Sequence, residues 1–282
     1  MAVADPTPAP HPGTTPDADR AAARRAAADR LVLAARDRRP CRPVRELLPD
    51  GGLDDGYEVQ KLVHAQTSST RRRVGRKIGL TSVAVQRQMH VDTPDFGVLF
   101  ADMAYGDAQS IPFADLLQPR VEAEVAFVLG TDLPDGAVTG PELLRAVEFV
   151  LPAIEVVDSR IADWDISIFD TVADNASSGL FVTGGSPRAL GDIDDLRASE
   201  MELVADGEVV SAGMGAACLG HPLNAVVWLA NVVAERGDPL RAGELVLSGS
   251  LGPLVPVTAG VTYEARISGV GSVRAAFSEA DR

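Results

Sequence analysis

Cysteine is nearly absent from this chain: Cys41 and Cys218 are the only two in 282 residues, far apart and outside any CxxC pair. That excludes a disulfide scaffold and a cysteine-rich zinc module, and it suits a reducing cytoplasm. Basic residues are also in short supply. Lys plus Arg total 26 against 40 Asp plus Glu, a formal net charge of −14. So acidic a chain repels phosphate backbones and anionic lipid, which argues against nucleic acid or a membrane surface as partner. An anionic substrate must then be drawn in by a local charge. No uninterrupted apolar run approaches the ~20 residues that span a bilayer, and no fixed-period repeat is present. The four histidines, His11, His64, His90 and His221, are scattered. His221 precedes Pro222 at a helix start and reads as a capping or packing residue.

Several nucleotide and nucleophile motifs are missing as well. Gly75–Ser82 (GRKIGLTS) does not match the phosphate loop GxxxxGK[ST]. Gly213-Met214-Gly215 lacks the third glycine of GxGxxG, and Ser248–Gly252 lacks the first glycine of a nucleophile elbow. Nothing points to a Ser/His/Asp triad.

What remains divides into three regions. Residues 1–18 combine Pro, Ala, Thr and Gly without apolar periodicity, a basic start or a continuous apolar block; they are expected to be a disordered lead-in and not a signal peptide. Residues 19–75 are expected to form a small helical region. It holds one Ala/Arg-rich helix over Asp19–Asp37 and a second over about Asp54–Gln66. Residues 76–282 are expected to form one β-rich catalytic domain. Short β-branched runs there predict strands over Val121–Leu129, Leu151–Val157, Leu203–Ala205, Glu208–Ser211, Leu245–Ser248, Leu254–Thr258, Val261–Ile267 and Val273–Phe277. Asp206-Gly207 marks a two-residue hairpin. Helical spacing predicts helices over Pro141–Val150 and His221–Glu235. Strand clusters with helices set between them, and no regular βαβ alternation, give an α+β fold.

The segment PRVEAEVAF (119–127) carries the first chemistry. Alternation along a strand sends Val121, Ala123, Val125 and Phe127 one way and Glu122 and Glu124 the other, with the carboxylates about 7 Å apart on one face. A solvated acidic face is the plain explanation of this pair. Glu155 tips the balance, because it sits between Ile154 and Val156 in an otherwise apolar strand, where an isolated charge is very expensive. Either it pairs with Arg160, the nearest basic residue, or the three glutamates converge on one hard cation. Three oxygen ligands without nearby His or Cys suit Mg²⁺ or Mn²⁺ better than Zn²⁺. Lys77, bracketed by Gly75 and Gly79, reads on spacing alone as a surface residue with a snorkelling stem; the alternative is a catalytic lysine whose proton affinity is lowered by burial.

Taken together, GRKIGLTS (75–82), VDTPDFGVLF (91–100), PRVEAEVAF (119–127), PAIEVVDSRI (152–161), NASSGLFVTGG (175–185), GAACLGHPLNAVVWLAN (215–231) and AGELVLSGS (242–250) resemble the 2-keto-4-pentenoate (2-hydroxypenta-2,4-dienoate) hydratases. These form part of the hydratase/decarboxylase branch of the fumarylacetoacetate hydrolase superfamily. The resemblance runs from about residue 45 to the C-terminus, with His90 standing where a small residue is usual. It implies a mixed β-roll with a smaller helical N-terminal part. It also implies metal ligation by Glu122, Glu124 and Glu155, an active-site lysine at Lys77 and an acidic residue at Asp95. Substrate contacts fall at Leu80 and at Ser177 or Ser178 of the polar NASSG loop.

The implied reaction adds water to a 2-hydroxy-2,4-dienoate, giving a 4-hydroxy-2-oxo acid. Lys77 would stabilise charge and carry a proton at the substrate's oxygen end. Asp95 would move a proton at carbon or position water. The resemblance further implies a place in meta-cleavage degradation of aromatic compounds, a downstream aldolase and a homo-oligomer. A 4-oxalocrotonate-type decarboxylase would use the same centre, although the VDTPDFGVLF block leans towards the hydratases. A C–C bond hydrolase of the superfamily would want a Glu/His pair to activate water, and only His90 is near the expected blocks. A non-catalytic subunit would have little reason to keep all five charged residues.

Overall fold

The Ala/Arg-rich run has the composition of a helix, and it opens the computed structural model as α1 (Pro16–Asp37), followed by α2 (Leu53–Thr67). The structure describes residues 16–67, 71–82, 86 and 93–280. The expected lead-in lies outside them up to residue 15, and its last residues belong to α1. Ala27, Ala28 and Leu31 of α1 bury against Val59 of α2 and against Phe169 and Ala173 further along the chain. Asp55 of α2 clasps the two helices by accepting hydrogen bonds from Arg20 and Arg24. The Arg20 guanidinium, helped by Arg24, holds that carboxyl well below the usual carboxylate range. Gln60 then fastens α2 onward, donating to the carbonyls of Phe96 at 3.1 Å and Val172 at 2.9 Å.

Thirteen strands follow among the described residues. They are β1 (Arg73–Gly79), β2 (Asp95–Phe100), β3 (Ala104–Gly106), β4 (Ser110–Ile111), β5 (Arg120–Leu129), β6 (Val147–Val157), β7 (Ser178–Thr183), β8 (Glu200–Ala205), β9 (Glu208–Met214), β10 (Leu245–Leu247), β11 (Val255–Pro256), β12 (Thr262–Ile267) and β13 (Gly271–Phe277). Helices α3 (Gly140–Ala146), α4 (Ile168–Ala173) and α5 (Pro222–Glu235) interrupt them. One mixed sheet runs in the order β2-β1-β10-β5-β6-β7-β3, with β11 also on β5; the other runs β4-β13-β12-β8-β9. Neither closes into a barrel. Val121, Val125 and Phe127 of β5 and Ile154 of β6 form one core with Leu203, Tyr263, Ala265 and Phe277 of the second sheet.

Helix α5 packs into the same core through Val226, Leu229 and Val233. The stretch Gly215–Glu235 is apolar and long enough by composition to cross a membrane. Its regular part, α5, is only 14 residues, about 21 Å long, and it behaves as a core helix. His221 caps it, its Nδ1 accepting from the Leu223 amide at 3.0 Å. Asp206 and Gly207 join β8 to β9 with φ of 51° and 84°, the paired positive values of a tight hairpin turn.

Two departures from the sequence pattern matter. The run expected as helix over Pro141–Val150 splits after Ala146, and Val147–Val150 begin β6 instead. Val150 lies opposite Phe127 and exchanges backbone hydrogen bonds with Arg188. Apolar residues such as Phe149, Val150 and Leu151 satisfy either period, and ladder pairing with β5 decides. Strands β1, β2 and β7 have no counterpart in the pattern reading, and residue 76, taken as the start of the β-rich region, falls inside β1. Charge and glycine hide β1. It holds Arg73, Arg76 and Lys77, and Gly75 is needed because β10 runs too close: a Cβ there would lie 1.9 Å from the Leu245 carbonyl oxygen. Gly75→Ala is therefore expected to destabilise the protein by about 1–3 kcal/mol through backbone displacement. The check is the midpoint of chemical unfolding, which should fall.

Candidate active site

Strand pairing assembles the acidic cluster. Glu122 and Glu124 project from the same face of β5, and Glu155 of β6 sits directly opposite Glu122. One carboxylate oxygen from each lies within 4.8 Å of the others. Glu124 and Glu155 are 0% exposed, and Glu122 is half-buried, so the solvated acidic face is ruled out. Arg160 does not neutralise Glu155 either, since its guanidinium is taken up by Asp174 and by the backbone carbonyls of Asp158 and Ser178.

The cation beside Glu155 is Lys77, whose Nζ stands 3.1 Å from Oε1. Lys77 is 2% exposed, so the surface reading of this lysine fails. The register of β1 with β2 sets Lys77 across from Gly97 and Gly79 across from Asp95. Gly79 gives Asp95 its room, because a Cβ there would lie 2.2 Å from the Asp95 Oδ1. Thr171 of α4 donates to Asp95 Oδ2 at 3.4 Å, and its hydroxyl stands 3.4 Å from that of Ser177.

Backbone strain gathers around this cluster. Leu80 just after β1, and Asn175, Ala176 and Ser177 in succession, hold φ between 52° and 56°, a region costing about 1–3 kcal/mol for a residue with a side chain. The Asn175 amide locks the turn against β2, donating to the Val98 carbonyl and accepting from the Val98 amide and from His64 Nε2. Since that oxygen only accepts, Nε2 carries the imidazole proton. Ser178 spends its hydroxyl on the Asn175 carbonyl at 2.7 Å, whereas Ser177 faces Thr171. The Leu80 carbonyl accepts from the Gln86 side-chain Nε2 at 2.8 Å. His90 lies outside the described residues.

The electrostatics follow from four acidic groups around one ammonium. Burial raises the proton affinity of Glu124 well above the usual range, reinforced by Glu155 and Glu122. It pushes Glu155 up to about 7 against the opposing pull of Lys77, and it raises Glu122 and Asp95 in the same way. For Lys77 burial acts in the other direction, but Glu155, Asp95, Glu122 and Glu124 together overcome it and raise its affinity for the proton. The carboxylates thus raise the proton affinity of this lysine, opposite to the lowering that burial alone would give.

Does the cluster fit a metal? Glu124 Oε1 and Glu155 Oε2 are buried without a hydrogen-bond partner among the described residues. Such atoms are costly unless something cationic meets them. An octahedral Mg²⁺ with bonds of about 2.1 Å sets its oxygens roughly 3–4 Å apart, a spacing that small side-chain shifts would give this trio. The donor set is hard, all-oxygen and anionic. It fits.

A sequence model described as fumarylacetoacetate (FAA) hydrolase C-terminal matches residues 65–278. The chain belongs to the fumarylacetoacetate hydrolase family. Within that family it is similar to a 2-keto-4-pentenoate hydratase of Paraburkholderia xenovorans, 55% identical over 258 residues covering 90% of this chain and 94% of the other. It is also similar to a protein of Pseudomonas putida named TodF product hydratase, 54% identical over 94% of this chain and 98% of that one. Among solved structures, a 4-oxalocrotonate decarboxylase from Pseudomonas putida complexed with magnesium and adipate has a TM-score of 0.86 and 35% identity. That match covers 90% of this chain and 97% of the other.

Pattern reading did not find Thr171, Asn175 or Gly249, whose amide donates to Glu124 Oε2 at 2.7 Å, and it offered Arg160 to Glu155 where the structure gives it to Asp174. Each acts through tertiary placement; only the NASSG and LSGS blocks hinted at the turns involved. One consequence concerns protons. Below about pH 7 Glu155 is protonated in the metal-free protein, and it must lose that proton to ligate. Apparent Mg²⁺ affinity should therefore fall by about tenfold per pH unit below that point for one linked proton. Calorimetric Mg²⁺ titration of chelator-treated protein at pH 6 and pH 8 checks this, with proton release expected at the lower pH.

Proposed function

We propose that this chain is a metal-dependent hydratase that adds water to 2-hydroxypenta-2,4-dienoate, giving 4-hydroxy-2-oxopentanoate. The observation that carries the reading is the buried trio of glutamates with partnerless oxygens beside a lysine held as its ammonium. The hydratases at 54–55% identity supply the substrate class. Glu122, Glu124 and Glu155 would hold Mg²⁺ or Mn²⁺. When bound, the divalent cation supplies Lewis acidity towards the carboxylate and the C2 oxygen of a 2-oxo acid.

The chain's own groups account for the proton movements. A simple alkene resists water, so the dienol first ketonises: the 2-hydroxyl loses its proton and C5 gains one, giving 2-oxopent-3-enoate. Water then adds its oxygen to C4 and a proton to C3. The Lys77 ammonium faces the negative charge that grows on the C2 oxygen in both stages. Asp95, buried and steadied by Thr171, carries the proton at carbon or orients the water. Ser177, on the strained turn with its hydroxyl 3.4 Å from that of Thr171, is the better candidate of the two serines for a substrate contact, because Ser178 spends its hydroxyl on the Asn175 carbonyl.

The product is a β-hydroxy ketone of the kind an aldolase cleaves, which places such an enzyme downstream in meta-cleavage degradation of aromatic compounds. Both cysteines are free thiols, in keeping with a reducing cytoplasm. A homo-oligomer is supported by edge strand β9, where Val209, Val210 and Met214 are 53%, 41% and 46% exposed. The structural likeness to a decarboxylase keeps that activity as the second reading.

Turnover of 2-hydroxypenta-2,4-dienoate after chelation, with and without added Mg²⁺, tests the proposal; activity that returns only with the ion is expected. Assay of 4-oxalocrotonate for release of CO₂ separates the second reading. Lys77→Ala and Asp95→Asn, assayed separately for ketonisation and hydration, should each lose about 10²-fold or more in at least one stage. Near-normal turnover by both would remove these residues from the chemistry.

A further inference from the structure

Helix α2 spends two of its side chains on the wall of the site that carries Asp95. Gln60 and His64 stand four residues apart, so one face of the helix presents both. Gln60 is 3% exposed, and its Nε2 donates to two carbonyls, those of Phe96 and Val172. Phe96 follows Asp95 in β2, and Val172 follows Thr171 in α4. The two protons of one amide nitrogen thus staple together the segments that make the Thr171–Asp95 hydrogen bond. Satisfying two buried carbonyls would by itself make Gln60 a stability residue. Their position, each next to a member of that pair, gives it more to do.

His64 acts one turn further on. The side-chain amide of Asn175 pairs with both backbone groups of Val98, which fixes its orientation and turns Oδ1 to His64 Nε2 at 3.1 Å. The imidazole stands edge-on to Phe100, with centroids 5.2 Å apart. Burial pushes its pKa down to about 4, so near neutral pH it is an uncharged donor. Asn175, Ala176 and Ser177 have φ of 56°, 52° and 53°, and backbone in that region relaxes unless its surroundings hold it. The turn also leans on Gly97, where a Cβ would lie 2.3 Å from the Asn175 carbonyl oxygen. Gly97 is the β2 partner of Lys77.

We propose that Gln60 and His64 are positioning residues for the side of the site that handles protons: Gln60 sets Asp95 against Thr171, and His64, through Asn175, sets the Ser177 hydroxyl beside them. Their effect on turnover rests on the hydratase reading; their effect on the backbone does not.

The experiment compares His64→Phe, which keeps a ring against Phe100 but loses the donor, with His64→Gln, whose amide can donate from about the same place, and with Gln60→Met. Each full-length protein is measured for kcat/KM towards 2-hydroxypenta-2,4-dienoate with Mg²⁺, for Mg²⁺ affinity by calorimetry, and for amide hydrogen exchange. In His64→Phe, kcat/KM should fall about 3- to 10-fold and the Val98 and Ser177 amides should exchange faster by a similar factor. Mg²⁺ affinity and exchange in the β5–β6 ladder should stay within about twofold of the unaltered chain, because the ligands lie on strands that neither side chain bonds. His64→Gln should regain most of the loss. Gln60→Met should lose kcat/KM at least as strongly as His64→Phe; if it unfolds, Gln60→Glu, of the same shape with at most one donor, replaces it. Unchanged kcat/KM and exchange in His64→Phe and in the Gln60 variant would overturn the proposal. So would a change that spreads to the β5–β6 ladder and to Mg²⁺ binding, the mark of general destabilisation, or a loss that His64→Gln does not reduce. If the unaltered chain does not turn over the dienoate, the hydratase reading falls and exchange alone decides the positioning roles.

Discussion

Four carboxylates and one ammonium held together away from water set the terms for everything around them. At an effective dielectric of ~20, two like charges within 4.8 Å of each other repel by at least about 3 kcal/mol, and the glutamate trio contains three such pairs. Lys77 answers part of this. A divalent cation would answer more, which is why the burial that makes these glutamates costly alone makes them an effective ligand set together. Without the ion, protons take its place, as the raised affinities of Glu124 and Glu155 show. The centre is therefore poised between two kinds of positive occupant, and the scaffold must hold its geometry in both states.

The scaffold does this with backbone, where side chains alone would yield. Glu122, Glu124 and Glu155 come from the longest ladder in the molecule, β5 with β6, whose opposite face is packed into the main core. Rotating either strand to relieve the charge would expose Val121, Val125 and Ile154. Beside Thr171 and Asp95, three successive residues in left-handed conformation are fixed from several directions. Asn175 is bound to both backbone groups of Val98, and Arg160 draws Asp174 and the Ser178 carbonyl together. A turn of such strain persists only where its surroundings over-determine it. The helical N-terminal part contributes here, for Gln60 and His64 of α2 reach β2 and Asn175 directly.

How far the sequence revealed this depended on whether charge sat on a regular pattern. Glu122 and Glu124 stood out because the residues of β5 after Arg120 are otherwise apolar, and Glu155 because the run Phe149–Val157 around it is apolar; alternation alone put two of them on one face. Lys77 could not be read that way. Its strand carries three charges and two glycines in seven residues, and it is buried by pairing with groups 18 to 78 positions distant, a relation that local composition does not encode. Its bracketing glycines drew notice, but spacing favoured the surface, and only likeness to a known family tipped the reading towards the site. Thr171 and Asn175 are silent for the same reason: a threonine in a short helix and an asparagine in a turn are commonplace until the fold sets them beside Asp95 and Val98. The helix misplaced over Val147–Val150 shows the converse, a clear pattern whose period fitted two structures until pairing with β5 selected one.

Strands β1 and β2 carry opposite electrostatic demands on their two faces, and this explains their unusual composition. Towards the glutamates, β1 presents one lysine between glycines, because any larger neighbour would occupy the space of Asp95 or of the β10 backbone. Towards α2 and α5 it presents Arg76, 1% exposed and bound to Glu244 and Asp238. An arginine there is tolerable only because its fork finds fixed acceptors. The two buried cations are neighbours in sequence yet lie on opposite sides of one sheet, each neutralised by its own acidic set. Moving the register of β1 by one residue would turn both to the opposite face, putting the Arg76 guanidinium in the Lys77 slot among the glutamates and the ammonium in the slot of Ile78 on the far side. Register, fixed by the Gly75 approach to Leu245 and the Gly79 approach to Asp95, is thus what sets one lysine of a charged run among the buried glutamates.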